Sequence, residues 1–220
     1  KSADGLQLCP RLEVLDVSAT PLVQSHDDSV QSRKEINDFF TQFKSLRRLH
    51  AKKCSMSFTV TGSDSLTELD FSGIGINRWR YISSSDDSDS DEKSDAGQDS
   101  ELESGYAKVE NLRNLRILSM NKSESVTFRR LLGAKDTLLE LNANECNKVK
   151  RTGKISELIY LTTLNMAQCW RLRHLRKLDG AVSLECIDFS QCTRLQNVNV
   201  LGRLTGLRTL KLSKTGIDTD

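Results

Sequence analysis

The residues best equipped for chemistry are cysteines: Cys54, Cys146, Cys169 and Cys192, the last three spaced 23 residues apart. Thiolates can ligate metals, attack electrophiles or cycle with disulfides. Stacked at an even period, they could line a metal or redox column. The surrounding sequence argues against that use. No Cys-x-x-Cys pair and no Cys/His zinc spacing occurs among the six cysteines. The three histidines, His26, His50 and His174, fall in unrelated stretches, and none pairs with Ser/Asp or Cys in the pattern of a triad. Gly73-Ile74-Gly75 lacks the rest of a dinucleotide fingerprint. The expectation is no catalysis, no cofactor and no metal.

The cysteines instead mark the elements that position them. Leu115, Leu138, Leu161, Leu184 and Leu207 recur every 23 residues. Each opens the phrase Leu-x-x-Leu-x-apolar-x-x-(Cys/Ser/Thr), as in Leu138/Leu141/Ala143/Cys146 and Leu161/Leu164/Met166/Cys169. The phrase occurs three more times upstream, beginning at Leu12, Leu46 and Leu66, which makes eight units. A spacing of 34 residues before Leu46 and one of 49 before Leu115 imply insertions. Alternation of apolar and polar residues makes a short strand with one buried face. No such unit buries its apolar face alone, so the strands must stack in parallel. The Cys/Ser/Thr position then lies where the chain leaves the strand, and a small donor there can bond backbone from repeat to repeat. Cysteine suits it as a small buried hydrophobe with a weak donor.

On these phrases the chain resembles leucine-rich repeat proteins, specifically the Cys/Thr-type repeats of F-box adaptors, plant disease-resistance receptors and protozoan repeat proteins. The resemblance implies an α/β solenoid, a horseshoe with a parallel sheet on its concave face. It also implies a protein-binding scaffold or adaptor as the function. Buried reduced thiols point to an intracellular, cytoplasmic chain. The sequon Asn121-Lys122-Ser123 points weakly the other way and falls at a predicted strand end. Residues 1–220 read as a single repeat domain, and an opening on Lys1 reads as a segment of a longer protein. No stretch approaches the roughly 18 apolar residues of a membrane helix.

The strand period predicts which side chains a partner meets. Asp16, His50, Asp70, Ser119, Asn142, Asn165, Asp188 and Lys211 form a central concave column, none of them apolar. Arg48, Lys52, Glu68, Ser72, Asn121, Glu140, Asn144, Thr163, Gln168, Ser190, Gln191, Thr209 and Ser213 flank it. This face is either a docking surface or merely the solvated side of a sheet. It lacks Trp and Tyr, the usual interface anchors.

The net charge of +2 hides an uneven distribution: residues 1–77 sum to −1, residues 78–105 to −6 and residues 106–220 to +9. Much of the positive charge recurs with the repeat. Lys148, Lys150, Arg151, Arg171, Arg173, Arg176 and Arg194 align as a basic stripe, with Lys154, His174 and Lys177 beside them and Arg129 and Arg130 as an extension. The stripe is ordinary solubilising charge, or a site for an acidic protein, for RNA, or for the chain's own acidic insertion. The second function class is accordingly an RNA- or ribonucleoprotein-associated module. Aromatic residues for base stacking are nearly absent there, apart from Trp170.

Two insertions complete the organisation. Residues 83–104, SSSDDSDSDEKSDAGQDSELES, carry almost no apolar side chain and are expected to be disordered. Ser83, Ser84, Ser88 and Ser100 each have an acid three residues on, a pattern that resembles the targets of casein kinase 2-type kinases. Phosphates there would add about −1.5 to −2 charge each, which makes regulation of partner binding one reading and an inert spacer the other. Residues 24–43 carry Ile36, Phe39, Phe40 and Phe43 at helical spacing and are expected to form an amphipathic helix packed on the solenoid.

Overall fold

The computed structural model describes residues 9–19, 43–53, 59–61, 64–73, 108–110, 112–123 and 134–217. Eight three-residue strands, one from each phrase, form one parallel sheet: β1 (Val14–Asp16), β2 (Arg48–His50), β4 (Glu68–Asp70), β6 (Ile117–Ser119), β7 (Glu140–Asn142), β8 (Thr163–Asn165), β9 (Cys186–Asp188) and β10 (Thr209–Lys211). The strands follow chain order across the sheet. The irregular spacings therefore leave the register intact: Leu49 pairs with Leu15, and Leu118 with Leu69, across the two long insertions. The central leucine of each strand faces the core because its two neighbours face the other way. Leu49, Leu69, Leu118, Leu141 and Leu164 are fully buried.

Bonds between repeats run through fixed positions. The N–H after each strand donates to the last strand carbonyl of the following repeat, as in Ala143 to Asn165 at 2.7 Å and Met166 to Asp188 at 2.9 Å. The residue two further on repeats the pattern, as in Glu145 to Ala167 at 2.9 Å and Gln168 to Ser190 at 2.7 Å. The residue at this second position is left-handed in every repeat: Ala19, Lys53, Gly73, Lys122, Glu145, Gln168, Gln191 and Lys214 have φ between 54° and 72°. The left-handed residue turns the chain off the sheet and brings the next side chain, the cysteine position, inward.

The return path differs from the α/β expectation. Among the described residues the connections hold short 3-10 turns, Gly153–Glu157, Leu178–Gly180 and Asn199–Arg203, and no α-helix. A 23-residue period explains this. The strand phrase and the turn after it use about half the unit, and the chain must then cross back beneath the sheet. A second run of parallel bridges, Arg151 to His174 and His174 to Asn197, uses more of the remainder. What is left suits a tight turn better than a helix of several turns. A separate two-stranded parallel sheet pairs β3 (Thr59–Thr61) with β5 (Lys108–Glu110), an element that the phrase spacing does not predict.

Of the predicted helix at 24–43 only Phe43 is described, and it is buried against the core. The acidic insertion 83–104, with Ser83, Ser84, Ser88 and Ser100, lies outside the described residues, as do Cys54, His26, Arg129 and Arg130.

Candidate partner-binding surfaces

Beneath the sheet, the cysteines form a ladder. The thiol of Cys146 donates to the Met120 carbonyl at 3.3 Å, Cys169 to Ala143 at 3.2 Å, and Cys192 to Met166 at 3.2 Å. Each bond spans 26 residues and reaches back one repeat. All three thiols are buried and free. Burial pushes Cys146 up to about 12 and Cys192 up to about 11, and it raises Cys169 as well. Thiols so held stay protonated at neutral pH, and a protonated thiol is a poor nucleophile and a poor ligand. The ladder changes character at its ends. Ser123 takes the position in the fourth repeat, with its hydroxyl buried and without a partner among the described residues, and Thr215 bonds back within its own repeat to Leu212 at 2.8 Å.

The predicted concave column occupies one register position. Asp16 pairs with His50, His50 with Asp70, Asp70 with Ser119, and so on through Asn142, Asn165, Asp188 and Lys211. Several members also bond within the chain. The carboxylates of Asp16, Asp70 and Asp188 each accept the N–H two residues on, from Ser18, Ser72 and Ser190, at 2.8–2.9 Å. Hydrogen bonds from Ser18 hold the Asp16 carboxyl below the usual range. Burial acts to raise Asp188, but the bonds from Ser190 and the nearby Lys211 ammonium outweigh it and leave this carboxyl lowered. Lys211 lies 3.3 Å from Asp188, Lys52 lies 3.2 Å from Asp70, and His50 lies 3.0 Å from Glu68. Asn142 donates to Glu140 at 2.7 Å. The face is thus a polar sheet with many of its charges cross-paired.

Part of the flanking set has a role that the strand period does not reveal. The Ser18 and Ser72 hydroxyls accept the backbone N–H groups of Lys52 and Asn121, each at 3.1 Å. The Asn121 and Asn144 side-chain carbonyls accept those of Asn144 and Ala167, at 2.9 and 3.1 Å. These residues form a second ladder along the sheet edge. Gln168 and Gln191, expected as strand flank, are left-handed turn residues. Only Gly73 carries a sequence signal for that turn; the other seven positions hold Ala, Lys, Glu or Gln.

The basic stripe lies on the far side of the cysteines. Lys148, Arg171 and Arg194 each follow a ladder cysteine by two residues, and all three are exposed. Lys150, Arg173 and Arg176 are exposed as well, and Arg151 is half-buried. Backbone stacking holds these rows together. Arg173 donates its N–H to Lys150 at 2.9 Å, and the Thr152 hydroxyl donates to the Arg176 carbonyl at 3.1 Å. Among the described residues, Lys150, Arg151, Arg171, Arg173 and Arg194 have no carboxylate in ion-pair contact. For Lys154 the backbone alone is described.

No family model and no curated protein matches the sequence. Solved structures do match. The functional domain of InlJ from Listeria monocytogenes, which includes a cysteine ladder, is similar over 96% of this chain at 14% identity and a TM-score of 0.51. An internalin C2 from the same organism is similar over 96% of this chain at 14% identity and a TM-score of 0.52. The chain spans 36% of the InlJ chain and 76% of the internalin C2 chain. At this identity the likeness is one of fold.

Proposed function

We propose that this chain, which has the leucine-rich repeat fold, is a non-catalytic scaffold or adaptor that binds a protein partner through its concave face, with the basic edge as an accessory surface. The observation that carries this is the unbroken register of Asp16, His50, Asp70, Ser119, Asn142, Asn165, Asp188 and Lys211 across eight strands. A rigid sheet presents these side chains at one strand spacing, about 4.8 Å. Groups preorganised in this way lose little conformational freedom on binding. The hydrophilic character of the face suits a polar partner, and its paired charges favour selectivity over raw affinity. Catalysis finds no support in the ladder cysteines Cys146, Cys169 and Cys192, whose thiols are buried and held protonated, one to a repeat. Phosphorylation of Ser83, Ser84, Ser88 and Ser100 belongs to this reading as its regulation. Mutating the four to Ala should change partner affinity; unchanged affinity removes the regulatory part.

The test is site-specific photo-crosslinking. A crosslinker at Asn142 or Asn165 should capture a discrete protein that survives nuclease treatment. The same crosslinker at Val182, which is 64% exposed and lies off the sheet, should not. Equal labelling from both places sinks the reading.

A further inference from the structure

The stripe has more organisation than solubilising charge requires. Parallel bridges Arg151 to His174 and His174 to Asn197 give this side of the solenoid its own stacked backbone. Rows of cations are therefore held about 4.8 Å apart along the stacking direction. Buried Leu172 and Leu195 sit one residue beyond Arg171 and Arg194 and anchor those rows. Like charges held this close repel one another, yet Lys150, Arg151, Arg171, Arg173 and Arg194 have no carboxylate counterpart among the described residues. At the end of the stripe an open cavity of about 380 Å³ is bordered by Arg176, Lys177 and Arg203. Asp179, also on its wall, pairs with the Arg203 guanidinium at 2.9 Å, which leaves Lys177 as the cation for an incoming carboxylate.

We propose that the stripe and this cavity form a docking track for an acidic segment of a partner protein, rich in Asp and Glu, laid along the stacking direction. Successive carboxylates meet cations of successive repeats, and one carboxylate enters the cavity beside Lys177. Nucleic acid fits less well. Single-strand sites combine cations with several aromatic platforms, and here Trp170 and Tyr160, 52% and 50% exposed, are the only exposed large aromatics among the described residues. The inference rests on the partner-binding reading above and specifies the chemistry that its accessory basic edge would recognise.

The test measures fluorescence anisotropy of a labelled Glu/Ser-alternating peptide with the full 220-residue chain. Expected is salt-sensitive binding that weakens by about tenfold or more in Arg171→Glu/Arg194→Glu, the loss of roughly 1.4 kcal/mol or more. Arg171→Gln/Arg194→Gln should weaken it less, and Val182→Ser, at an exposed site off the sheet, should leave it unchanged. Circular dichroism checks that each variant is folded. Equal affinity for the wild-type chain and both stripe variants overturns the proposal. So does tighter binding of an oligouridylate of equal charge, which assigns the stripe to nucleic acid. So does a marked gain in peptide affinity on deleting residues 83–104, which makes the chain's own acidic segment the occupant. If the wild-type chain does not bind the peptide while concave crosslinking succeeds, the track alone is refuted; if the wild-type chain binds the peptide while concave crosslinking fails, the concave reading alone is refuted.

Discussion

The Cys169 thiol lies 3.2 Å from the carbonyl oxygen of Ala143, a bond that crosses from one repeat back to the one before. The contact uses the cysteine as a structural donor in a fully buried position. Its neighbours Cys146 and Cys192 do the same one repeat to either side.

The ladder thiols should be inert in the folded chain. Native protein at pH 8 should release no signal from Cys146, Cys169 or Cys192 with a thiol-specific chromogen, whereas exposed Cys9 reacts; denaturant should expose the three. Mass-spectrometric mapping of the labelled sites would read this out. Rapid native labelling of Cys169 contradicts the ladder.

Stability should fall in alkali. The folded pKa is raised from 9.0 to about 12 for Cys146 and to about 11 for Cys192, with burial as the leading cause. Between those values the folded chain holds protons that the unfolded chain has released, so stability is intact below pH 9 and declines as pH rises beyond it. Denaturation midpoints measured from pH 8 to 11 should show a shallower decline in Cys146→Ala/Cys192→Ala than in the parent.

Ser123 is the weak rung, because its hydroxyl is buried without a partner among the described residues. An unsatisfied buried polar group costs about 1–3 kcal/mol. Ser123→Cys places a less polar group at the same ladder position and should stabilise the chain by about 1 kcal/mol, measured by urea denaturation. A loss of stability would show that the hydroxyl contributes where the structure gives it no bond.

The left-handed column predicts opposite effects at one site. Gln168 has φ of 60°, with its N–H fixed to the Ser190 carbonyl. Gln168→Gly should stabilise by about 0.5–1 kcal/mol, since relief of the left-handed penalty exceeds glycine's entropic cost. Gln168→Val should destabilise by about 1–3 kcal/mol, because a β-branched residue tolerates that backbone poorly. Thermal melts of the two variants shifting in the same direction would contradict this geometry.

Equivalent leucines should differ in cost. Leu164 is fully buried, while Leu210, the same position in the last repeat, is 41% exposed. Leu164→Ala should cost about 2–5 kcal/mol. Leu210→Ala should cost about 1 kcal/mol or less. Chemical denaturation of the two variants compares them directly.

The repeat leucines made the sheet legible. Leu15, Leu49, Leu69, Leu118, Leu141, Leu164, Ile187 and Leu210 are identified by the phrase, and all eight take the same place in one register. The alternation also assigned the neighbouring polar residues to the opposite face, and the cysteines of the even repeats to the turn. Such positions are legible because burial imposes one residue type at one period, and a period survives insertions that change spacing.

Bonds between repeats were not legible in the same way. Asn121 and Asn144 look like solvent-facing polar residues, and only stacking shows that each accepts a backbone N–H from the next repeat. The left-handed turn is equally silent at Lys122, Glu145 and Gln168, because inter-repeat backbone bonds impose that conformation and no side chain announces it. Among the described residues, the helices that an α/β solenoid implies gave way to 3-10 turns because the return path is short and partly extended. The sequence by itself determined the eight strands of the main sheet, their order, the buried leucines and the cysteine positions, all set by local alternation repeated at a fixed period. The tertiary structure alone decided which polar residues serve the stack and which stripe cations lack a carboxylate among the described residues, because both depend on groups 23 or more residues apart meeting across neighbouring repeats.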